Sequence, residues 1–304
     1  MKNKLLLTGN CGFIFSHVTD YFLELGWQVV GIDNLSAGSH PELLEEWKKY
    51  DNFKFYEMDL SSREVIEVIR SEAPQYVVHA GAYSDVDYSI KYPYHVLEAN
   101  ILANLNVFEA CRDLPSLKKL LYVSTDEIYG ECEIKKNETD IIFPKNPYSC
   151  SKAVGSLMRL AFDNSFPELK DKTTEIRMCN IFGERQDKRK IMPAIKESLE
   201  GNYSIPLHNG GVGYREYLYV KNVPPMIKLV LEKGHRTYNV TNNDLYSVNE
   251  LIGKAQSITK KKCTVHDSHR EGMDSIYQMD SSRLRELGWT PRYSFEESLT
   301  DYLQ

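Results

Sequence analysis

Tyr148 and Lys152 stand four residues apart, a spacing that could produce a base for proton transfer. At this spacing two side chains lie on one face of a helix, where the lysine ammonium stabilises a phenolate. A free phenol titrates near pH ~10, so a pKa near neutrality requires about 3 units, or roughly 4 kcal/mol, of stabilisation. The pair therefore indicates acid–base chemistry at a hydroxyl group, with an exposed helical pair as the alternative.

Two adjacent carboxyl groups, Asp126 and Glu127, follow Thr125 after an apolar run at 120–124. Neighbouring carboxyls hold opposite protonation states only where their environments differ, because burial and a nearby negative charge each raise a carboxyl pKa. The sequence places both groups after a predicted strand but does not show which of them would keep its proton.

A glycine turn follows the first apolar run, in the stretch GNCGFIFSH. Gly9 and Gly12 fit a dinucleotide fingerprint in which a pyrophosphate approaches the N-terminus of the next helix. The third glycine position holds Phe15, which we expect to displace or rotate that helix, because overpacking a tight contact costs on the order of 1–3 kcal/mol.

Asp33 lies at the end of the second predicted strand. A carboxylate there accepts hydrogen bonds from an adenosine ribose and repels a 2′-phosphate, which favours NAD over NADP. The alternative is that Asp33 and Asn34 only turn the chain. Asp59 and Leu60, after the third predicted strand, could similarly flank an adenine.

The elements that must position these residues alternate along the chain. Predicted strands cover 5–8, 29–33, 53–58, 76–79, 120–124 and 176–179, and predicted helices cover 16–25, 62–71, 95–112 and 149–164. This alternation predicts an α/β fold of the Rossmann type with a doubly wound parallel sheet. Helices near 192–200 and 247–256 lie among turn-rich segments, which indicates a smaller C-terminal substrate-binding lobe. We therefore divide the chain into an NAD-binding domain at 1–179 and a lobe at 180–304, with some segments returning to the sheet.

Composition excludes several classes of protein. The 304 residues are 42% hydrophobic and 26% charged, as in an ordinary globular protein, and the net charge of −6 predicts no nucleic-acid or anionic membrane partner. Six cysteines without C-x-x-C spacing favour reduced thiols. His266 and His269 have no third ligand at a zinc spacing, so we expect no metal. With no segment suited to span a bilayer, we expect a soluble, cytoplasmic protein.

The combined motifs resemble the extended short-chain dehydrogenase/reductase family, especially its nucleotide-sugar 4,6-dehydratases, and most closely those acting on dTDP-glucose. The resemblance covers nearly the whole chain and includes HAGAYSDVDYSI, RMCNIFGERQ, YREYLYV and ELGWTP. It implies NAD as cofactor and a nucleotide-diphosphate sugar as substrate. It also implies catalytic roles for Thr125, Asp126, Glu127, Tyr148 and Lys152.

In the implied reaction, Tyr148 takes the proton from the sugar O4 while NAD oxidises C4. Glu127 then removes the C5 proton, Asp126 protonates the departing O6 hydroxyl, and the reduced cofactor returns its hydride to C6. The implied cofactor contacts are Gly9, Gly12, Phe13, Ile14, Asp33, Asn34, Asp59, Leu60, Ala80, Ala82, Asn100, Tyr148 and Lys152.

The resemblance also implies substrate contacts. Arg215 and Arg270 are candidates for the pyrophosphate, because guanidinium groups bind phosphate oxygens as a fork. Ser84 and Asn180 match residues near the sugar. The family's usual pattern is altered at several neighbouring positions, so the nucleotide base and the sugar stay open. Those positions are Asp85, Tyr88, Glu216, Tyr217 and Met273.

Other functions stay open as well. A 4-epimerase or decarboxylase of the same family would use the same hydride transfer, and a non-catalytic NAD-binding scaffold would fit the unusual Phe15. The helices at 95–112 and 149–164 resemble those that form a dimer interface in the family, which predicts a homodimer, with ordinary packing on the sheet as the alternative.

Overall fold

The computed structural model describes residues 3–269 and 276–304, so the predicted phosphate ligand Arg270 lies outside the described residues. The strands are β1 Lys4–Thr8, β2 Gln28–Asp33, β3 Phe53–Glu57, β4 Tyr76–His79, β5 Lys119–Thr125, β6 Thr173–Met178, β7 Asn180–Phe182, β8 Ser204–His208, β9 Tyr214–Tyr219, β10 Thr237–Val240, β11 Leu245–Ser247 and β12 Thr264–Ser268. The helices are α1 Phe13–Glu24, α2 Leu43–Trp47, α3 Glu64–Glu72, α4 Val86–Lys91, α5 Pro93–Arg112, α6 Pro147–Ser165, α7 Ile191–Leu199, α8 Val223–Lys233, α9 Val248–Thr259, α10 Ser282–Glu286 and α11 Phe295–Leu303.

Seven parallel strands form the central sheet, in the order β10-β6-β5-β4-β1-β2-β3. The chain runs outward from β1 to β3 on one side and from β4 to β6 on the other. This arrangement confirms the predicted Rossmann-type α/β fold. Ligands of such sheets bind where the strand order reverses, outside the carboxyl ends of β1 and β4.

Both faces of the sheet are covered by hydrophobic side chains. Leu5 and Leu7 point into one core, together with α1 and α8, whereas Leu6 points into the other, together with α3 and α5. Val77 and Val78 alternate in the same way. Side chains alternate between the faces of a strand, so continuous apolar runs fit strands covered on both sides.

The C-terminal part contributes strand β10 to the central sheet and forms two small sheets, β11-β9-β7 and β12-β8. Strand β9 pairs in parallel with β7 and antiparallel with β11. The division of the chain at residue 179 stays a prediction.

Strand β6 begins three residues before its predicted start, at Thr173. The missed residues are polar, and apolar periodicity therefore gave no signal for them. Thr173 and Thr174 are nevertheless buried, as is Glu175, whose carboxylate lies between two buried arginines. One of these arginines, Arg177, lies on the same strand, whereas Arg159 comes from helix α6 and gave no local signal in the sequence of β6.

Within the described part of the chain, no helix is long and apolar enough to cross a membrane. All six cysteines, which lie within the described ranges, are free thiols, as predicted.

Candidate active site

The turn after β1 brings two backbone segments into close contact. Gly9 has φ +71° and donates its N–H to the carbonyl of Ile32 at 2.8 Å. A Cβ at Gly9 would lie 2.7 Å from Cα of Gly81, in the turn after β4. A side chain therefore does not fit here, and the space between the turns is kept by glycine.

Helix α1 begins directly after this turn, with Gly12 as its N-cap and Phe13 and Ile14 in its first turn. Among the described residues, no side chain caps this N-terminus, which is also true of α3, α5, α7 and α8. Uncapped N–H groups at a helix start favour a bound anion. Phe15 is buried in the core, 6% exposed, and the predicted displacement of α1 stays a prediction.

Asp33 ends β2 and is 5% exposed. Its Oδ2 accepts the N–H of Cys11 at 3.0 Å and its Oδ1 accepts that of Leu35 at 2.9 Å. Burial raises the pKa of this carboxyl, although the hydrogen bonds act in the opposite direction. Next to it, Asn34 donates its amide to Asp59 at 3.3 Å. The predicted adenosine contacts after β2 and β3 thus lie side by side.

Thr8, which we did not predict as a site residue, joins the turns after β1 and β4. Its Oγ1 accepts the N–H groups of Ala80 and Gly81, both at 3.1 Å. Its own proton is therefore directed to Nδ1 of His79, 2.8 Å away. A Cβ at Gly81 would overlap with the side chain of Leu60. Polar residues at the ends of β1 and β4 were the sequence signal that could have indicated this link.

The segment that follows β4 carries Ala82 and Ser84, and Ser84 is exposed. Asn100 of α5 holds this segment, accepting the N–H of Tyr83 at 2.8 Å. The same side chain donates to the hydroxyl of Ser151 on α6 at 2.9 Å. Asn100 therefore joins the segment above β4 to the helix that carries the tyrosine–lysine pair.

The carboxyl pair lies in the short 3-10 helix Asp126–Tyr129, directly after β5. Asp126 is 3% exposed and accepts the hydroxyl proton of Thr125 at 3.0 Å. Burial, followed by the charge of Glu127, raises the pKa of Asp126 to about 7. Glu127 is half-buried and accepts the amide of Asn146 at 3.0 Å. The two carboxyls thus lie in different environments, as opposite protonation states require.

Helix α6 carries Tyr148 in its first turn and Lys152 one turn later. Its start is fixed by Asn146, whose Oδ1 accepts the N–H of Ser149 at 2.8 Å in a capping box. Lys152 is 5% exposed, and its Nζ lies 4.8 Å from the ring centre of Tyr122. Burial lowers the pKa of Lys152 to about 8.

The pKa of Tyr148 lies well above its usual range, because burial and then the charges of Glu127 and Asp126 disfavour the phenolate. A hydrogen bond with Thr125 acts in the opposite direction. The protein without its cofactor therefore does not lower this pKa toward neutrality, and stabilisation of the phenolate by Lys152 together with a bound nicotinamide cation stays a prediction. The same interactions place the phenol and both carboxyls in one site.

Two predicted substrate contacts lie beside this site. Asn180 begins β7, opposite Tyr217 of β9, and the two side chains are hydrogen-bonded. The guanidinium carbon of Arg215 lies 4.5 Å from the ring centre of Tyr277. The positive charge of Arg215 lowers the pKa of Asp126, so this arginine is near the carboxyl pair.

Glu216 is a third acidic residue near the site, and we did not predict a role for it. It is 1% exposed, and its Oε2 accepts the N–H of Met279 at 2.9 Å. Burial raises its pKa to about 7, and the charge of Asp126 also raises it. Its position next to Arg215, a predicted substrate contact, was the sequence signal that could have indicated that Glu216 lies near the site.

Fold and site together define a Rossmann-type enzyme class of nucleotide-sugar dehydratases and epimerases, within the short-chain dehydrogenases/reductases. Residues 6–302 match the family model described as GDP-mannose 4,6 dehydratase, and the chain belongs to this family. The match confirms the predicted family resemblance. The family is NAD-dependent, which confirms the predicted class of cofactor.

Known proteins of both reaction types resemble this chain. A trifunctional protein of Arabidopsis thaliana, whose name begins with UDP-glucose 4,6-dehydratase, is 29% identical over 308 residues, covering 97% of this chain and 46% of that protein. This chain thus spans about half the length of that relative. The UDP-glucose 4-epimerase of Thermotoga maritima, crystallised with UDP-glucose, is 30% identical with a TM-score of 0.88, covering 99% and 97% of the two chains. A dTDP-glucose 4,6-dehydratase of Streptomyces venezuelae, crystallised with NAD, is 26% identical with a TM-score of 0.90, covering 99% and 95%.

Proposed function

We propose that the protein is an NAD-dependent nucleotide-sugar 4,6-dehydratase that converts dTDP-glucose or UDP-glucose to the 4-keto-6-deoxy sugar. The observation that carries the proposal is the pair Asp126 and Glu127 in different environments beside Tyr148. An acid and a base next to a tyrosine provide the proton transfers that removal of water requires. Relatives named as dehydratases of both nucleotide sugars support the substrate class.

NAD fits the residues of this chain. The glycine turn leaves no room for a Cβ at Gly9, and helix α1 presents an N-terminus that no described side chain caps. Asp33, at the end of β2, is the proposed acceptor for the ribose hydroxyls. When bound, NAD supplies reversible two-electron oxidation of the sugar. Gly9, Gly12 and the first turn of α1 would hold its pyrophosphate.

The proton transfers are assigned to three side chains. Tyr148 accepts the O4 proton in its phenolate form, which the positive charges of Lys152 and of a bound nicotinamide would stabilise. As C4 becomes a ketone, the C5 proton becomes acidic. Glu127 removes that proton, while Asp126, whose pKa of about 7 keeps much of it protonated near neutrality, donates to the departing O6 hydroxyl. Water leaves across C5 and C6, the proton on Glu127 exchanges with solvent, and Glu127 donates a solvent-derived proton to C5 when C6 is reduced.

The proposal is tested by incubating the protein and NAD with dTDP-glucose and, separately, with UDP-glucose. We expect a 4-keto product that absorbs in alkali and whose mass is lower than that of the substrate by one water molecule. Turnover of one sugar and not the other would identify the nucleotide that is recognised. No product from either sugar would contradict the proposal.

A 4-epimerase is the second candidate, because the epimerase of Thermotoga maritima resembles this chain as closely as the dehydratases do. An epimerase product keeps the mass of the substrate, so the same mass measurement distinguishes the two reactions. A scaffold that binds NAD without catalysis would give neither product.

We expect replacement of Gly9 by alanine to weaken NAD binding more than tenfold. The new Cβ would lie 2.7 Å from Cα of Gly81, at a φ of +71°, and would push apart the turns that face the pyrophosphate. Gly26→Ala is a matched control, because Gly26 has φ +73° but no atom within 4 Å of the added Cβ. Calorimetric titration with NAD measures both variants, and equal affinities would contradict the assignment of the glycine turn.

We propose that helices α5 and α6 form a homodimer interface, since four leucines on them are exposed: Leu102 (37%), Leu105 (41%), Leu157 (58%) and Leu160 (42%). The double variant Leu157→Glu/Leu160→Glu is expected to be monomeric, because an interface would have to bury unpaired carboxylates. Leu25→Glu, at a position 45% exposed after α1, is the control. Light scattering gives the mass, and a double variant that stays dimeric would rule out this interface.

We place the protein in the cytoplasm. The six free thiols, four of them buried, support a reducing compartment. Fractionation of the native cells, followed by detection of the protein with an antibody, tests this location.

A further inference from the structure

Three charged side chains are buried together below the candidate site. Glu175 of β6 is 0% exposed, and Arg159 of α6 and Arg177 of β6 are each 4% exposed. Buried ion clusters of this kind rarely stabilise a protein more than apolar residues of the same size would. Packing alone therefore does not account for this cluster, and none of the three side chains takes part in the proposed proton transfers.

The carboxylate of Glu175 connects strand β6 to helix α6. Its Oε1 accepts the hydroxyl proton of Ser156 at 2.7 Å and Nε–H of Arg177 at 2.8 Å. Its Oε2 lies 3.4 Å from Nε of Arg159. Ser156 is one turn after Lys152 and lies 3.3 Å from its carbonyl oxygen. Helix α6 is thus held against the sheet just below the tyrosine–lysine pair.

Arg177 connects the same carboxylate to the turn with the carboxyl pair. Its Nη1 donates to the hydroxyl of Tyr129 at 2.6 Å, and that hydroxyl donates to Oδ1 of Asn239 at 2.9 Å. Tyr129 closes the 3-10 helix that begins with Asp126. A continuous chain of buried hydrogen bonds therefore joins the two parts of the candidate site.

Glu175 also acts on Lys152 through its charge. Lys152 contacts the ring of Tyr122 from β5 and interacts electrostatically with His79 of β4 and Glu175 of β6, and Tyr148 precedes it by one turn on its own helix. Burial lowers the pKa of Lys152, and the charge of Glu175 raises it. Burial and the charge of Lys152 lower the pKa of His79 to about 3, so the imidazole is neutral in the range where the lysine titrates.

We propose that Glu175 is a positioning residue: its carboxylate, held by Arg159 and Arg177, fixes helix α6 through Ser156 and supplies the negative charge that keeps Lys152 protonated inside the protein. The effect of Glu175 on catalysis rests on the proposed function, in which the charge of Lys152 acts on Tyr148. The charge state of Lys152 can nevertheless be measured without a substrate.

The test is a pH titration of Lys152 by NMR of protein with ¹⁵N-labelled lysine, with the signal assigned through Lys152→Met. In Glu175→Gln a negative charge is lost, so Lys152 should lose its proton at a pH about one unit lower, a tenfold change in its ionisation constant. In Arg159→Gln a positive charge is lost from the same cluster, and the midpoint should move upward. A general loosening of the fold would not shift the titration midpoint of Lys152 in opposite directions in the two variants.

Ser156→Ala is the matched control, because it removes the hydrogen bond to Glu175 but leaves every charge in place; its midpoint should match that of the unmodified protein. Circular dichroism verifies the fold of each variant, and if Glu175→Gln does not fold, the direction in Arg159→Gln decides. Midpoints unchanged in the folded variants would overturn the inference. With a nucleotide sugar that turns over, Glu175→Gln should lower kcat at alkaline pH and leave KM unchanged, whereas absence of any turnover would contradict the proposed function and not this inference.

Discussion

Glu127→Gln is expected to lower dehydration by about 10²- to 10⁴-fold, the usual contribution of a general base. The amide cannot take the C5 proton, so the 4-keto sugar should form and stop there. Oxidation at C4 should be no slower than in the unmodified protein, because the negative charge of Glu127 raises the pKa of Tyr148 and its removal increases the fraction of Tyr148 present as the phenolate that accepts the proton. Rapid mixing with the nucleotide sugar would show reduced cofactor that persists.

Deuterium exchange identifies the step that is lost. In deuterated water, the unmodified protein should incorporate deuterium at C5 of the product, whereas in Glu127→Gln the sugar recovered from the protein should carry none. Glu133→Gln is the control, because this glutamate lies exposed in the loop that follows the carboxyl pair. Normal turnover by Glu127→Gln would exclude Glu127 as the base.

Tyr148→Phe is expected to lower the rate of C4 oxidation by about 10²- to 10⁴-fold. The substitution removes the hydroxyl and keeps the ring, so helix α6 and its capping box should be unaffected. Neither reduced cofactor nor product should accumulate, which distinguishes this variant from Glu127→Gln. Single-turnover absorbance of the reduced cofactor, together with the substrate KM, measures the effect.

Tyr238→Phe provides the matched control, since Tyr238 is a buried tyrosine of β10, 1% exposed, whose hydroxyl accepts the N–H of His235 at 3.4 Å. Its loss should affect the free energy of unfolding and not the rate of oxidation. Should Tyr148→Phe retain a rate within tenfold of the unmodified protein, another group must take the O4 proton.

Six of the seven strands of the central sheet were predictable, because apolar runs such as 5–8 and 76–79 mark them in the sequence, whereas no strand was predicted at β10. The start of β6 was not predictable, because its first residues are polar and Glu175 is buried against Arg159 and Ser156 of helix α6 as well as Arg177 of its own strand. Polar burial of this kind depends on partners from other elements and has no local periodicity.

The local pattern was sufficient to place Gly9, Asp33, the carboxyl pair and the tyrosine–lysine pair at the ends of strands or the start of a helix, since these positions depend on residues close in sequence. The local pattern did not predict which of Asp126 and Glu127 has the raised pKa, nor that the pKa of Tyr148 is raised, nor that Glu216 is buried near the carboxyl pair. Those properties come from burial and from charges on elements far apart along the chain, and such contacts exist only once the strands have assembled.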